Sequence, residues 1–394
     1  MAAVSTFTWL DHRDDDQQRI RDALAAFDQP GIVDPLGLGV VRDAFSDTLF
    51  PGLSTVQTRA RYFLLVPWVY RELDRRKVAA RDGAQQARTW ELQLIEALLD
   101  GSDDKEGIIG RNSRAATKQL PSFIYWGGIA RFGIRRFDGS RQEYAASLES
   151  RRRSGTADER VLWPGLPELP DGLFESTSLA LSADEAEFLR DRIVATTRGR
   201  FLELLVRDGD AEQRADAPWE HPVAATAPAE IREQLQHARL FATCVWGAEL
   251  LYNRELSRAL VADGQAPLQH DYDVLLDDWI DTLDAMAADL RSWEMDRLWD
   301  LVLRQNPRAT GSRTFVDWWL AQAIDDPRGC LASDEVRRRV RRREEMVKGP
   351  RAKLASRSAR ERSPAAQGGS LMRFRWNQAT RIVGDIHEGL RVDA

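Results

Sequence analysis

The run Ser54-Thr55-Val56-Gln57-Thr58-Arg59-Ala60-Arg61-Tyr62-Phe63-Leu64-Leu65-Val66-Pro67-Trp68-Val69-Tyr70-Arg71-Glu72-Leu73 decides the fold class. Wound as a helix, it is apolar on every side from Tyr62 to Tyr70, and a helix that is apolar all round belongs in an interior. The apolar part is flanked by arginine and interrupted by Pro67, and it falls well short of the ~18 residues a membrane span needs. It therefore predicts the buried axis of a helical protein, near 54–73. Ser54 and Thr55 are candidate N-caps for it. Pro67 removes an amide donor from its interior. At 100° per residue Gln57 and Arg61 share a face with Leu64 and Trp68, while Arg59 lies with Phe63, Val66 and Tyr70. A buried, unpaired guanidinium is strongly destabilising. Gln57, Arg59 and Arg61 are thus either structural, paired with Asp43, Asp47 or another carboxylate, or they bind a phosphate or other anion.

Helical periodicity continues on both sides. Helices are expected over 14–27 (Ile20, Leu24, Phe27), from Val40 to Thr48, over 84–100 (Trp90, Leu94, Leu98), and through the apolar run Leu120 to Ile134. Ser182-Ala183-Asp184-Glu185 has capping-box spacing and opens another. A long helix is expected over 229–262, one or two over 272–304, and one over 312–324. Residues 135–175 read as a linker or irregular excursion, and 208–228 as a surface loop. The fold class expected is mainly α and multi-helical with few or no strands; short strands could sit in 108–138 or 160–180. The boundaries expected are an N-terminal helical domain at 1–135, a second at 136–332, and a basic helical C-terminal region at 333–394 with a flexible linker near 349–370.

Composition bounds the class further. The 394 residues are 43% hydrophobic and 30% charged, with 13 Trp that call for large cores or interfaces. Cys244 and Cys330 are too few for a disulfide framework or a tetrahedral thiolate zinc site, which suits a reducing compartment. Met1 to Leu10 lacks the pattern of a signal peptide. A cytoplasmic protein without a membrane partner is expected.

The net charge of −6 conceals an asymmetry. Residues 336–394 hold 16 Arg or Lys against 6 Asp or Glu, a net of +10, which leaves −16 on the remainder. In the helix expected over Ser333 to Lys348, Val336, Val340 and Val347 form a narrow stripe and arginines cover the rest. A second helix, Leu371 to Leu390, steps through Phe374, Gln378, Ile382, Ile386 and Leu390. Arg337, Arg338, Arg341, Arg342, Lys348, Arg351, Lys353, Arg373, Arg375 and Arg381 are the candidate contacts to DNA or RNA, since each neutralised phosphate releases counterions. The competing reading is a basic tail docked onto the protein's own acidic body, or onto another copy.

Motifs for other chemistry are sparse. There is no G-x-x-x-x-G-K-[ST], H-E-x-x-H or G-x-S-x-G. Leu36-Gly37-Leu38-Gly39 lacks the preceding strand and third glycine of a dinucleotide fingerprint. His237 and Cys244 share a helix face, but two ligands do not make a metal site. Asp385 and Glu388 could hold a cation or simply end a helix. No metal or cofactor is expected, although carboxylates converging from distant helices could still make a metal-dependent nuclease or hydrolase.

Trp9-Leu10-Asp11, Leu36-Gly37-Leu38-Gly39 and Phe50-Pro51-Gly52-Leu53-Ser54-Thr55-Val56-Gln57-Thr58-Arg59-Ala60-Arg61-Tyr62-Phe63 resemble a family of uncharacterised bacterial proteins. Tyr125-Trp126, Gly133-Ile134, Leu251-Tyr252-Asn253 and Asp385-Ile386-His387-Glu388-Gly389-Leu390 fit the same pattern. The resemblance implies an accessory protein encoded near helicase, phospholipase-D-like nuclease or restriction-type genes in mobile and antiphage islands. It transfers no catalytic residue. The function expected is an accessory, non-enzymatic subunit of a bacterial defence or DNA-processing system that contacts nucleic acid through its basic C-terminal region. The alternatives are a structural assembly protein that binds a helicase or nuclease partner, and the hydrolase above.

Overall fold

The computed structural model describes residues 34–210 and 212–391, so the helix expected over 14–27 and the Trp9-Leu10-Asp11 motif lie outside it. The architecture is mainly α and multi-helical, with no strand among the described residues. Its axis is a helix in which every side chain from Tyr62 to Leu73 is buried. That helix, α2 (Tyr62–Arg75), follows α1 (Gly39–Leu49).

The axis starts later than the capping residues Ser54 and Thr55 suggest. Four of the amides in 54–61 are taken by side chains instead of by an i→i−4 ladder. Ser54 N–H donates to Gln57 Oε1, Thr58 and Arg59 N–H donate to the Tyr125 hydroxyl, and Ala60 N–H donates to Asp385. Two of these three partners come from far along the chain, so local cap chemistry could not foresee them.

Helices α3 (Ala80–Gly101) and α4 (Pro121–Arg131) pack beside α2. Gly128 lets α4 approach closely: a Cβ there would lie 2.5 Å from Gly52 O and 2.8 Å from the Phe63 ring. Phe63 in turn meets Tyr125 edge-on, ring centres 4.9 Å apart. Residues 135–175 form three short helices, Arg141–Ala146, Leu148–Ser154 and Glu159–Leu162, not an open linker. A capping box of Ser140 and Glu143, a local signal within an Arg- and Gly-rich stretch, opens the first. This excursion buries Tyr144, whose hydroxyl donates to Asp74 and accepts from Trp163 Nε1.

The rest of the body comprises α5 (Ala183–Thr196), α6 (Phe201–Asp208), α7 (Ala229–Ala262), α8 (Tyr272–Ala285), α9 (Met295–Gln305) and α10 (Thr310–Asp325). Ser182 and Glu185 form the expected capping box at α5. The 34-residue α7 is a spine. Trp279 of α8 and Trp319 of α10 donate their indole N–H groups to Thr243 O and Cys244 O of that spine, each at 2.9 Å. Buried indoles need such partners. Gly247 makes room for Trp279, whose ring lies 2.2 Å from where a Cβ would sit.

The chain closes with α11 (Asp334–Lys348) and α12 (Trp376–Arg391). The intervening 349–370, expected as a flexible linker, is pinned to the body. The Glu344 carboxylate accepts from Lys353 N, Leu354 N and the Tyr252 hydroxyl. Asn253 exchanges two hydrogen bonds with Gln367. Gly369 N–H donates to Glu249, whose carboxyl burial pushes up to about 7. Gly368 and Gly369 have φ of +64° and +90°, a conformation glycine tolerates best, and a Cβ on either would strike Glu249 or Asn253. One buried apolar cluster runs from Leu36 to Ile386 through all three expected regions.

Candidate nucleic-acid interface

Local sequence sets α11. Ser333 Oγ accepts from Val336 N–H, Asp334 and Glu335 occupy the first turn, and Lys348 the last, an arrangement that suits the helix dipole. Val336 and Val340 face inward as the stripe predicts, but Arg343 and Glu344 are buried too. Arg343 Nε donates to Leu36 O at 2.7 Å and Nη2 to Ser312 Oγ at 3.0 Å, with the guanidinium 5.3 Å from the Phe315 ring centre. Gly37, at φ +66°, leaves the space, since a Cβ would lie 2.8 Å from Arg343 Nη2. The Leu-Gly-Leu-Gly segment is therefore a docking loop for an arginine.

The ten candidate contacts divide by what they touch. Arg337 meets Asp334 and the carbonyls of Leu331 and Ala332. Arg341 meets Glu345 at 3.2 Å. Lys353 is buried and donates to Ser363 Oγ and Ala365 O; burial brings its ammonium down to about 8 against the opposing pull of Glu344. Lys348 is half-buried, and desolvation holds it below the ordinary lysine value although Asp34 works the other way. Arg375 pairs with Asp47 at 2.5 Å and also donates to Leu53 O, and Arg381 pairs with Glu106 at 2.6 Å. Arg375 and Arg381 dock the C-terminal region onto the acidic body, whereas Arg337, Arg341 and Lys353 bond within that region or at its edge. The remaining four, Arg338, Arg342, Arg351 and Arg373, are exposed and meet no carboxylate within 4.0 Å among the described residues.

Arg338 and Arg342 stand one turn apart on the outer face of α11. Beside them Arg339 sits over the half-buried Trp318 of α10, 4.2 Å from the ring centre. Only the packing of α10 against α11 brings Trp318 into contact with an arginine.

The arginines ahead of α2 both face carboxylates. Arg59 Nε lies 3.0 Å from each Asp385 oxygen, and Asp385 also accepts from Ala60 N–H at 2.7 Å. Burial raises the Asp385 carboxyl, and Arg59 draws it partly back. With Arg59 and the Ala60 amide on it, Asp385 does not join Glu388 as a cation site. Arg61 holds Glu185 with two bonds, 2.9 and 2.7 Å, and donates to Ser178 O. Gln57 folds back onto Gly52 O and Ser54 N. Asp43 and Asp47, the partners suggested by proximity, meet Arg42 and Arg375 instead.

His237 Nδ1 accepts from Trp293 Nε1 at 2.8 Å, and burial pushes the Cys244 thiol up to about 12. A cleft of about 550 Å³ between α8, α9 and α10 has an apolar floor of Leu283, Trp299 and Leu320. Asp317 at its edge accepts from Trp299 Nε1 at 2.6 Å and faces Arg313 at 3.3 Å. No group of three or more His, Cys, Asp or Glu side chains among the described residues is placed to hold a metal ion. No helix among them is long and apolar enough to cross a membrane.

The fold and site define a mainly helical protein whose basic C-terminal region is docked on an acidic body, with part of its arginine face left outward. The chain belongs to a family of unknown function, DUF6361, whose model matches residues 4–389. No curated protein and no solved structure matches it.

Proposed function

We propose that this protein contacts DNA or RNA through the outer face of α11, as an accessory, non-enzymatic subunit of a bacterial defence or DNA-processing system. The observation that carries the contact is the pair Arg338 and Arg342, exposed and with no carboxylate within 4.0 Å among the described residues, beside the Arg339–Trp318 stack. Guanidiniums already paired with carboxylates gain little from a phosphate. Unpaired ones release counterions when they bind it. The role as a subunit rests on the resemblance in the N-terminal motifs, which implies a helicase or nuclease as the working partner.

The test is fluorescence anisotropy of labelled duplex and single strands across a salt series. The variant R338Q/R342Q is expected to lower the slope of log K against log salt by about 2, roughly one per lost phosphate contact. An unchanged slope, or no binding by the wild type at low salt, overturns the reading. A second reading, a structural assembly protein, has one observation in its favour: Met346, on the same outer face, is 79% exposed. Loss of a co-purifying helicase or nuclease in Met346→Ser, with nucleic-acid binding absent from the wild type, would favour it.

A further inference from the structure

A second set of arginines is brought together only by the fold. Helix α4 ends at Arg131, and Gly133, at φ +64°, turns the chain so that Arg131 Nη1 donates to Thr196 O at 3.1 Å, at the C-terminus of α5. Three residues on, Arg136 N–H donates to Leu162 O at 2.9 Å. Arg192 of α5 donates to Pro164 O in the same short stretch. Residues 162–164 thus anchor the backbone of Arg136 beside the guanidinium of Arg192, and burial, then the Arg136 charge, hold Arg192 below the ordinary arginine value. Arg198 follows in the turn after α5.

Arg131, Arg136 and Arg198 are exposed, and none of the four meets a carboxylate within 4.0 Å among the described residues. Three acids close in sequence to Arg192 and Arg198 are engaged elsewhere. Asp191 and Glu187 pair with Arg190, and Glu203 accepts from Gly199 N–H and pairs with Arg207. The dipole of α5 accounts for Arg131, which bonds one of its last carbonyls. It does not account for Arg136, whose backbone is held beside the anchor of another arginine in a chain of net charge −6 that has acids to spare. Like charges so placed are destabilising until an anion lies across them, and planar guanidiniums suit the oxygens of a phosphate.

We infer that Arg131, Arg136, Arg192 and Arg198 form a second surface for the phosphodiester backbone of a nucleic acid, separate in sequence from α11. The inference rests on the reading of the protein as one that contacts nucleic acid, but on different residues. It makes the protein one that grips two stretches of backbone.

The experiment repeats the anisotropy salt series on the full chain with three variants. R136Q/R198Q removes two guanidiniums that make no hydrogen bond or ion pair among the described residues, so folding is expected to be intact, checked by an unchanged melting temperature. Its salt slope is expected to fall by about 2. Arg190→Gln, already paired with two carboxylates, is expected to leave the slope unchanged. R338Q/R342Q reports on α11 separately. If R136Q/R198Q binds as the wild type does while R338Q/R342Q loses slope, the second surface is overturned and the α11 reading stands. If the reverse holds, the second surface stands and the α11 reading falls. An equal drop in Arg190→Gln assigns the effect to net charge and overturns the second surface, as does a wild type that does not bind.

Discussion

Asp385 ties the last helix to the segment that leads into the first buried one. It is 326 residues from Arg59, and its side chain is 7% exposed. Its carboxylate satisfies a half-buried guanidinium and an amide that no helix provides for. Removing it leaves Arg59 with only the exposed Asp104 at 3.8 Å and the Glu106 carbonyl, and leaves the buried Ala60 amide without its acceptor. Asp385→Ala is therefore expected to lower the unfolding free energy by about 3–5 kcal/mol, read from urea denaturation. Asp210→Ala, which removes an exposed partner of Arg391, is expected to leave the midpoint where it is. Equal effects from the two would show that the Asp385 pair is not the clamp its geometry describes. The same reasoning explains why Arg59 and Arg61 look functional in the sequence: a charged residue next to an apolar run must have a partner, but its identity is set by chain segments that proximity does not reveal.

Among the helices, the contact of α7 with α8 is the most constrained. Gly247 has the Trp279 ring where a Cβ would go, and Trp279 is anchored by its own indole N–H to the α7 backbone. It cannot swing away without leaving that donor unpaired. Gly247→Ala is expected to lower stability by about 1–3 kcal/mol through overpacking. Gly127, on the helix α4, has nothing within 4 Å of its Cβ position. There Ala is expected to stabilise by up to about 1 kcal/mol through helix propensity alone. Thermal melts of the two variants should move in opposite directions, and a melt of Gly247→Ala at the wild-type temperature would contradict the packing. The α11 predictions belong at this scale too: the helix, its cap and its Val stripe were legible, but which arginines remain outward depends on the neighbours that α11 meets.

For the whole molecule, the basic C-terminal region is largely part of the body. Arg375 reaches Asp47, Arg381 reaches Glu106, Arg360 reaches Asp263, and Arg391 reaches Asp210. Phe374 and Arg375 both take positive φ, 51° and 64°. Each such residue costs about 1–2 kcal/mol, offset where Phe374 enters the core against Phe45 and Arg375 finds Asp47. Trp376, Ile382 and Ile386 are almost fully buried. A chain ending at Arg375 is thus expected to lose its cooperative melt and its near-ultraviolet dichroism, and not only a nucleic-acid contact. A truncated chain that melts sharply near the full-length temperature would show α12 to be an appendage. Substitutions on α11, not deletions, are the clean way to test binding.

The sequence by itself determined the helical class, because periodicity and caps are local: α1, α3, α7, α10 and α11 fall close to where apolar spacing puts them, and Ser182 and Glu185 cap α5 as their spacing implies. It also determined that residues 62–70 are interior, since a helix without a polar face has nowhere else to go. Tertiary structure decided where that helix begins, since Tyr125 and Asp385 outcompete the helical ladder for the amides of 58–60. It decided that 349–370 is pinned, because Glu249, Asn253 and Glu344 on distant helices supply the hydrogen-bond partners. It also decided which arginines are spent and which are free, both on α11 and in the patch at Arg131, Arg136, Arg192 and Arg198. The reason is the same throughout. Burial of apolar surface is recorded in the spacing of one segment, whereas the pairing of a charge depends on a second segment whose position exists only once the chain has folded.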